Sequence, residues 1–145
     1  METFLIRNAA LCNTCNQEIE SFYRHDFKKC RCGKIGVDGG LDYCRRLYDD
    51  GATYEDKSIY SDAPFETIRE WLPRLGYGVK EREDYGILRA TRLKNMSDSH
   101  LENTISYCDI HGGSRYIGFY NQEVQYRKDN NITVSEDEVQ HIFLY

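Results

Sequence analysis

Six cysteines stand in this 145-residue chain, and four of them are spaced to do chemistry together. Cys12-Asn13-Thr14-Cys15 and Cys30-Arg31-Cys32-Gly33 are two short chelating loops separated by a polar stretch. Thiolates are soft ligands, and two such loops joined by a β-hairpin set four sulfurs at tetrahedral corners with little backbone to order. The chemistry predicted is one structural zinc ion held by Cys12, Cys15, Cys30 and Cys32. A ribbon knuckle usually has two residues between its cysteines, whereas the second loop has one, so Cys32 is the ligand most open to replacement. His25 and Cys44 are the alternatives. Gly33, directly after the second pair, can turn with positive φ and so face its amides to the thiolates.

Other reactive residues make weaker patterns. A redox reading of Cys12-x-x-Cys15 needs a helix N-terminus at the pair, and Gln17-Glu18-Ile19-Glu20 reads as strand or irregular chain. His100, Cys108, Asp109 and His111 share one stretch, but their spacing fits no catalytic or metal motif. His100 reads as a first-turn helix residue and Cys108 as a small core side chain. Gly39-Gly40 could expose amides to a phosphate, yet no helix-opening lysine with Ser or Thr follows. The pair reads instead as a turn that lets Leu41, Tyr43 and Leu47 cover the metal site. The chain is therefore read as a binding protein and not as an enzyme.

The elements that must position these residues follow from pattern and punctuation. Phe4 to Leu11, Glu18 to Tyr23, Phe27 to Cys30 and Lys34 to Val37 read as the short strands of a zinc ribbon, too small a sheet to stand without its metal. Ser58-Ile59-Tyr60 is an edge strand. Ser61-Asp62-Ala63-Pro64 opens a helix whose buried stripe is Phe65, Ile68, Trp71, Leu72 and Leu75, bent or shortened by Pro73 and ended by Gly76. Val79 to Arg82 against Gly86 to Arg92 reads as a hairpin turning near Glu83-Asp84-Tyr85. The C-terminal third reads as helical. Ser99 and Glu102 have capping-box spacing, His111-Gly112-Gly113-Ser114 breaks the chain, Ile117 to Arg127 forms a second helix, and Ser135 with Glu138 repeats the box. The expectation is an α+β protein: a zinc-ribbon-like module over residues 1–50, then a small α+β region over 51–145 ending in a helical hairpin.

Charge decides which partners to consider. The net charge is −5, and Lys/Arg and Asp/Glu balance up to residue 95, so the excess acid lies in the C-terminal third. That balance argues against a general nucleic-acid binder, whose affinity comes from neutralising phosphates. Locally, Arg24, His25, Lys28, Lys29, Arg31 and Lys34 form a basic hairpin. With Tyr23 and Phe27 as stacking groups, and with Arg45 and Arg46 nearby, it is the alternative reading: a local single-stranded nucleic-acid or nucleotide site. Twelve tyrosines exceed what so small a core uses, and tyrosine covers partners at low entropic cost. Tyr54, Tyr60, Tyr85, Tyr116, Tyr120 and Tyr145, beside acids such as Glu123, make an acidic aromatic surface suited to a basic, nucleic-acid-handling protein. The start lacks a signal-peptide pattern and nothing approaches a membrane span of about 18 apolar residues. A reducing cytoplasm is the expected location.

The run from Arg7 through Arg46, with Cys12-x-x-Cys15, Arg24-His25-Asp26-Phe27, Cys30-x-Cys32-Gly33 and Val37-Asp38-Gly39-Gly40-Leu41-Asp42-Tyr43, resembles a family of small uncharacterised phage and prophage proteins. Met96-Ser97-Asp98-Ser99-His100-Leu101-Glu102-Asn103 and Tyr126-Arg127-Lys128-Asp129-Asn130 resemble a segment found in other small phage proteins. The resemblance implies no activity. It implies an accessory role, typically binding and modulating or inhibiting a host protein in the host cytoplasm.

Overall fold

The computed structural model describes residues 2–77, 88–112 and 114–144. The chain divides into two compact units, Met1–Pro64 and Phe65–Tyr145. The architecture is mixed α and β, strands first and helices towards the C-terminus, as expected.

The first unit is built on strand β1, Leu5–Cys12, whose side chains are buried on both faces except at Leu11. β1 pairs antiparallel with β2 (Glu18–Ser21) on one side and with β6 (Tyr54–Asp56) and β7 (Ile59–Tyr60) on the other. The unit runs on to Pro64 because those two late strands complete the sheet around β1. A second sheet has the order β3 (Lys28–Lys29), β4 (Ile35–Asp38), β5 (Arg45–Tyr48), all antiparallel. Both sheets supply the core, with Ala10, Cys12 and Ile19 from the first against Cys30, Ile35 and Val37 from the second. Asn8 stitches them together. Its amide donates to the carbonyls of Asp38, Gly40 and Tyr43 at 2.9, 2.9 and 3.1 Å, satisfying acceptors that the loop between β4 and β5 cannot pair itself. Gly39 and Gly40 turn that loop with φ of 108° and 54°. A Cβ on Gly39 would lie 2.0 Å from the Tyr43 carbonyl oxygen, and one on Gly40 would lie 2.5 Å from the Tyr23 backbone. β5 has no counterpart among the expected strands, because two adjacent arginines blur the alternation of Arg45–Tyr48.

In the second unit, helix α1 spans Phe65–Trp71. The expected stripe through Leu75 is cut at Pro73, which opens strand β8, Pro73–Tyr77. Proline has no amide to continue the helix and is tolerated at the first residue of a strand. Leu75 and Gly76 thus belong to a sheet, not a helix end. β8 pairs antiparallel with β9 (Leu88–Arg92), and β9 with β10 (Ile142–Phe143). Of the predicted hairpin, Leu88–Arg92 is strand as expected and pairs with Pro73–Tyr77; residues 79–82, the turn near Glu83-Asp84-Tyr85 and the start at Gly86 lie outside the described residues. Helices α2 (Asp98–Ile110) and α3 (Ile117–Asp129) follow. The N-cap of α2 is Ser97, which accepts from the His100 amide at 3.0 Å, not Ser99. The Ser135–Glu138 capping box is present, but it caps a single 3-10 turn followed by β10 and not a helix. The core of this unit is Ile68, Leu72, Ala90, Leu93, Met96, Leu101, Cys108 and Tyr120.

Buried with that core is an ion network. Glu123, fully buried, accepts from Arg69 at 2.7 and 2.9 Å and from Arg127 at 2.8 Å. Arg127 also donates to Asp98 at 2.9 Å and to the Leu93 carbonyl at 3.1 Å. A buried carboxylate is tolerated because two guanidinium forks satisfy both oxygens.

Candidate metal centre

Each cysteine pair sits in the turn of a hairpin. In the first, between β1 and β2, the Cys12 amide donates to the Gln17 carbonyl at 2.9 Å and the Asn16 amide returns to the Cys12 carbonyl at 2.8 Å, with Asn16 left-handed at φ 62°. In the second, between β3 and β4, the Cys30 amide donates to Ile35 at 3.0 Å and the Gly33 amide to Cys30 at 2.9 Å, with Gly33 at φ 76°. The Gln17 side chain joins the two knuckles by accepting from the Arg31 amide at 2.6 Å, a tie that no sequence signal announces.

The hairpins bring Cys12, Cys15, Cys30 and Cys32 together, their sulfurs within 4.8 Å of one another. Cys12 and Cys32 are 3.6 Å apart, and Cys30 and Cys32 are 3.4 Å apart. An ion bound to four sulfurs at about 2.3 Å requires tetrahedral edges of about 3.8 Å, so the donor set fits a tetrahedral metal. All six cysteines are free thiols. Cys12 and Cys30 are buried, Cys15 half-buried and Cys32 exposed, so the cluster is open on the Cys32 side.

The electrostatics are those of a thiolate cage. Burial pushes the Cys15 thiol up, but the amides of Cys32 and Gln17 and the thiols of Cys12 and Cys32 outweigh it and bring it down to about 6. Cys30 is lowered in the same way: burial opposes, and the Ile35 amide with the neighbouring thiols prevails. The Lys34 amide pulls the Cys32 thiol down, yet burial and the other three thiols push it up to about 12. Amides aimed at sulfur therefore favour thiolates at Cys15 and Cys30, while burial and hydrogen bonds with the other three thiols favour the protonated form of Cys32. A divalent cation reverses that preference.

The alternative ligands stand elsewhere. His25, left-handed at φ 65°, is hydrogen-bonded through Nδ1 to the Tyr43 hydroxyl at 3.0 Å. Cys44 lies by Asn8 and Ser58, at 3.7 and 3.9 Å. Of the residues expected to cover the site, Leu47 is paired with Gly36 and lines the cleft beside Phe27; Ala52 and Tyr54 pack against the hydrophobic core that contains Cys12 and Cys30.

The basic hairpin divides. Arg24, Lys29, Arg31 and Lys34 are exposed. Lys28 is engaged with Asp26 at 3.1 Å and the Glu20 carbonyl at 3.0 Å. Arg45 is exposed, 3.8 Å from Asp38. Arg46 is not available to a ligand as expected: its guanidinium donates to Asn8, the Ala9 carbonyl and Ser58 at 2.6, 2.9 and 2.8 Å. Of the expected acidic tyrosine surface, Tyr120 and Glu123 are core residues of the second unit, Tyr54 packs on the hydrophobic core of the first, Tyr116 is half-buried at the start of α3, and Tyr60 is exposed. Tyr85 and Tyr145 lie outside the described residues.

Residues 4–48 match a family model described as a domain of unknown function (DUF7695). The matched stretch holds both knuckles and ends with β5, so it covers the cysteine cluster and the second sheet but neither β6 nor β7. No curated protein and no solved structure matches the chain. The similarity is to a domain without an assigned role, and it speaks neither for nor against a phage source. No helix among the described residues is long and apolar enough to cross a membrane.

Proposed function

We propose that the first unit is a zinc ribbon whose ion is structural, and that the outer face of its second sheet binds single-stranded nucleic acid. Zinc follows from four thiolates in a tetrahedral set, the donor preference of that ion. The observation that carries the binding role is an aromatic face with a basic rim. In the register of β3, β4 and β5, Lys29 opposes Gly36 and Gly36 opposes Leu47. Phe27, two residues before Lys29, lies on the same face. Phe27 and Leu47 are 43 and 38% exposed on that face, around an open cleft of about 330 Å³ that also takes in Lys29, Lys34 and Asp49; Tyr48, 63% exposed, paired with Ile35 and with its ring 6.1 Å from Tyr54, lines the edge of the cleft at the end of β5. Gly36 makes its floor: a Cβ there would come within 2.9 Å of the Phe27 ring.

Flat rings beside lysines suit bases that stack and phosphates that need neutralising. Lys29 and Lys34 outnumber Asp49 along the cleft, so its lining is locally basic although the chain is acidic. The competing reading, capture and inhibition of a basic host protein, leans on a tyrosine surface whose Tyr120 and Glu123 are buried, and it is the weaker of the two.

The test is fluorescence anisotropy of a labelled single-stranded oligonucleotide against the full chain, with metal content as the folding control. Phe27→Ala and Tyr48→Ala should each weaken binding roughly tenfold at unchanged metal content. Lys29→Ala and Lys34→Ala should each reduce the slope of log affinity against log salt by about 0.7. Absence of binding at low salt in metal-loaded protein rejects the nucleic-acid role and returns attention to a protein partner.

A further inference from the structure

The sheet of the second unit gathers positive charge that no feature of the sequence announced and that the metal centre does not use. Arg74 on β8 is paired with Thr91 on β9, and the antiparallel register that pairs Ile142 with Ala90 puts His141 opposite Thr91. Directly paired residues share a face, as do residues two apart on one strand, so Arg74, Arg89, Thr91 and His141 stand on one side of the sheet. The 2.6 Å hydrogen bond between Thr91 Oγ1 and His141 Nδ1 is made on that side. Arg74 and Arg89 are diagonal neighbours on adjacent strands, about 7–8 Å apart at the backbone. His100, from the first turn of α2, adds a second imidazole: burial lowers its pKa, and the charges of Arg74, Arg89 and His141 lower it further.

Among the described residues no carboxylate forms an ion pair with Arg74 or Arg89: Glu123, Glu70 and Asp98 are engaged by Arg69, Lys94 and Arg127, Arg74 meets the Tyr120 hydroxyl, and Glu136 is the acid whose field reaches Arg89 and His141. The one acid whose field reaches His100 is Glu136, and its carboxylate is tethered by the hydroxyls of Ser97 and Ser99. There is also room. Gly76 is the cross-strand partner of Arg89, and a Cβ built on it would meet nothing within 4 Å. The face therefore carries an open notch with one arginine across from it and another two residues back along the same strand. Thr91 fixes the His141 ring through Nδ1, and no described residue engages its Nε2.

We propose that this face is an anion site for the phosphoryl dianion of a small phosphorylated ligand, gripped by Arg74 and Arg89 at the Gly76 notch with His141 and His100 as further donors. Guanidinium forks match phosphate oxygens in pairs, and two of them with one tethered carboxylate leave a charge that a dianion neutralises. The site lies in the second unit, outside the residues matched by the family model, and is independent of the nucleic-acid reading of the ribbon.

Inorganic phosphate titrated into the full chain at constant ionic strength, with chloride as the comparison salt, is the test. The readouts are the imidazole proton resonances of His100 and His141 and the melting temperature of the second unit. Expected is a saturable shift of both histidines with phosphate alone, and a rise of their pKa values as the anion enters. Arg74→Gln and Arg89→Gln should each weaken binding about tenfold or more. Gly76→Val, which fills the notch on a strand position without removing charge, should fold and weaken binding too. Equal shifts with chloride, or phosphate affinity unchanged in folded Arg74→Gln and Arg89→Gln, overturns the proposal.

Discussion

Cys32 closes the four-thiol set from the solvent side, and its neighbours push its thiol up to about 12. That combination makes its thiolate dependent on the cation. Metal analysis of the purified chain should find one ion per molecule, lost in Cys12→Ser and Cys32→Ser and retained in Cys44→Ser. Retention in Cys32→Ser together with loss in Cys44→Ser would mean that a different fourth ligand completes the site. Glu123 makes a second residue-scale test. Replacing it with Ala leaves Arg69 and Arg127 without their shared counter-ion, at a cost of about 3–5 kcal/mol in chemical denaturation. The cysteines were legible because soft ligands in paired loops have few other uses. Glu123 was not, because a glutamate in a polar helix reads as solvated until its arginine partners are placed, and Arg69 is 54 positions away.

At the scale of elements, local rules worked where one residue decides and failed where two compete. The helix after Pro64 begins as its signals say. Ser97 and Ser99 both stand before α2, and the capping-box rule prefers Ser99 because a glutamate follows three residues later. The structure uses Ser97, and Ser99 donates to Glu136 from within the first turn. Ser97→Ala should accordingly cost about 1 kcal/mol in a denaturant titration, more than Ser99→Ala. The strand β8 was hidden because Ile68, Leu72 and Leu75 continue a helical period straight across Pro73. The pH response of the second unit also belongs to its elements. Burial, with cationic neighbours, holds His100 and His141 below their usual 6.5. The folded state therefore binds protons less readily than the unfolded chain, and stability falls as pH drops below about 6.5. Glu136, lowered by its serine hydrogen bonds, adds a separate loss below about 4.5. Melting temperature against pH should show the first loss flattened in the His100→Gln, His141→Gln double variant.

For the whole molecule, each unit carries its own core, and in the first, two of the core side chains, Cys12 and Cys30, are also corners of the thiol cluster. A β module of that size draws much of its folding energy from a bound ion. Stripping the ion with a chelator should therefore lower one thermal transition and leave the other in place. A single transition that moves as one would show that the two cores melt cooperatively. Two units were foreseeable from the cysteine-rich first third, and the reach of the first was not. β7 was legible as the edge strand Ser58-Ile59-Tyr60, but β6 is only three residues long, too short to carry a pattern, and both are recruited by β1 from some fifty positions away.

That recruitment bears on how the chain is made and cut. A nascent chain that has emerged only as far as residue 48 has both knuckles but presents Ala10, Leu11 and Cys12 as a bare strand flank, its later partners Asp56, Glu55 and Tyr54 still in the ribosome. An uncovered flank of that kind is a template for stacking one copy on another. A fragment stopping at residue 48 should sediment as aggregates, and one extended to residue 64 should stay monodisperse.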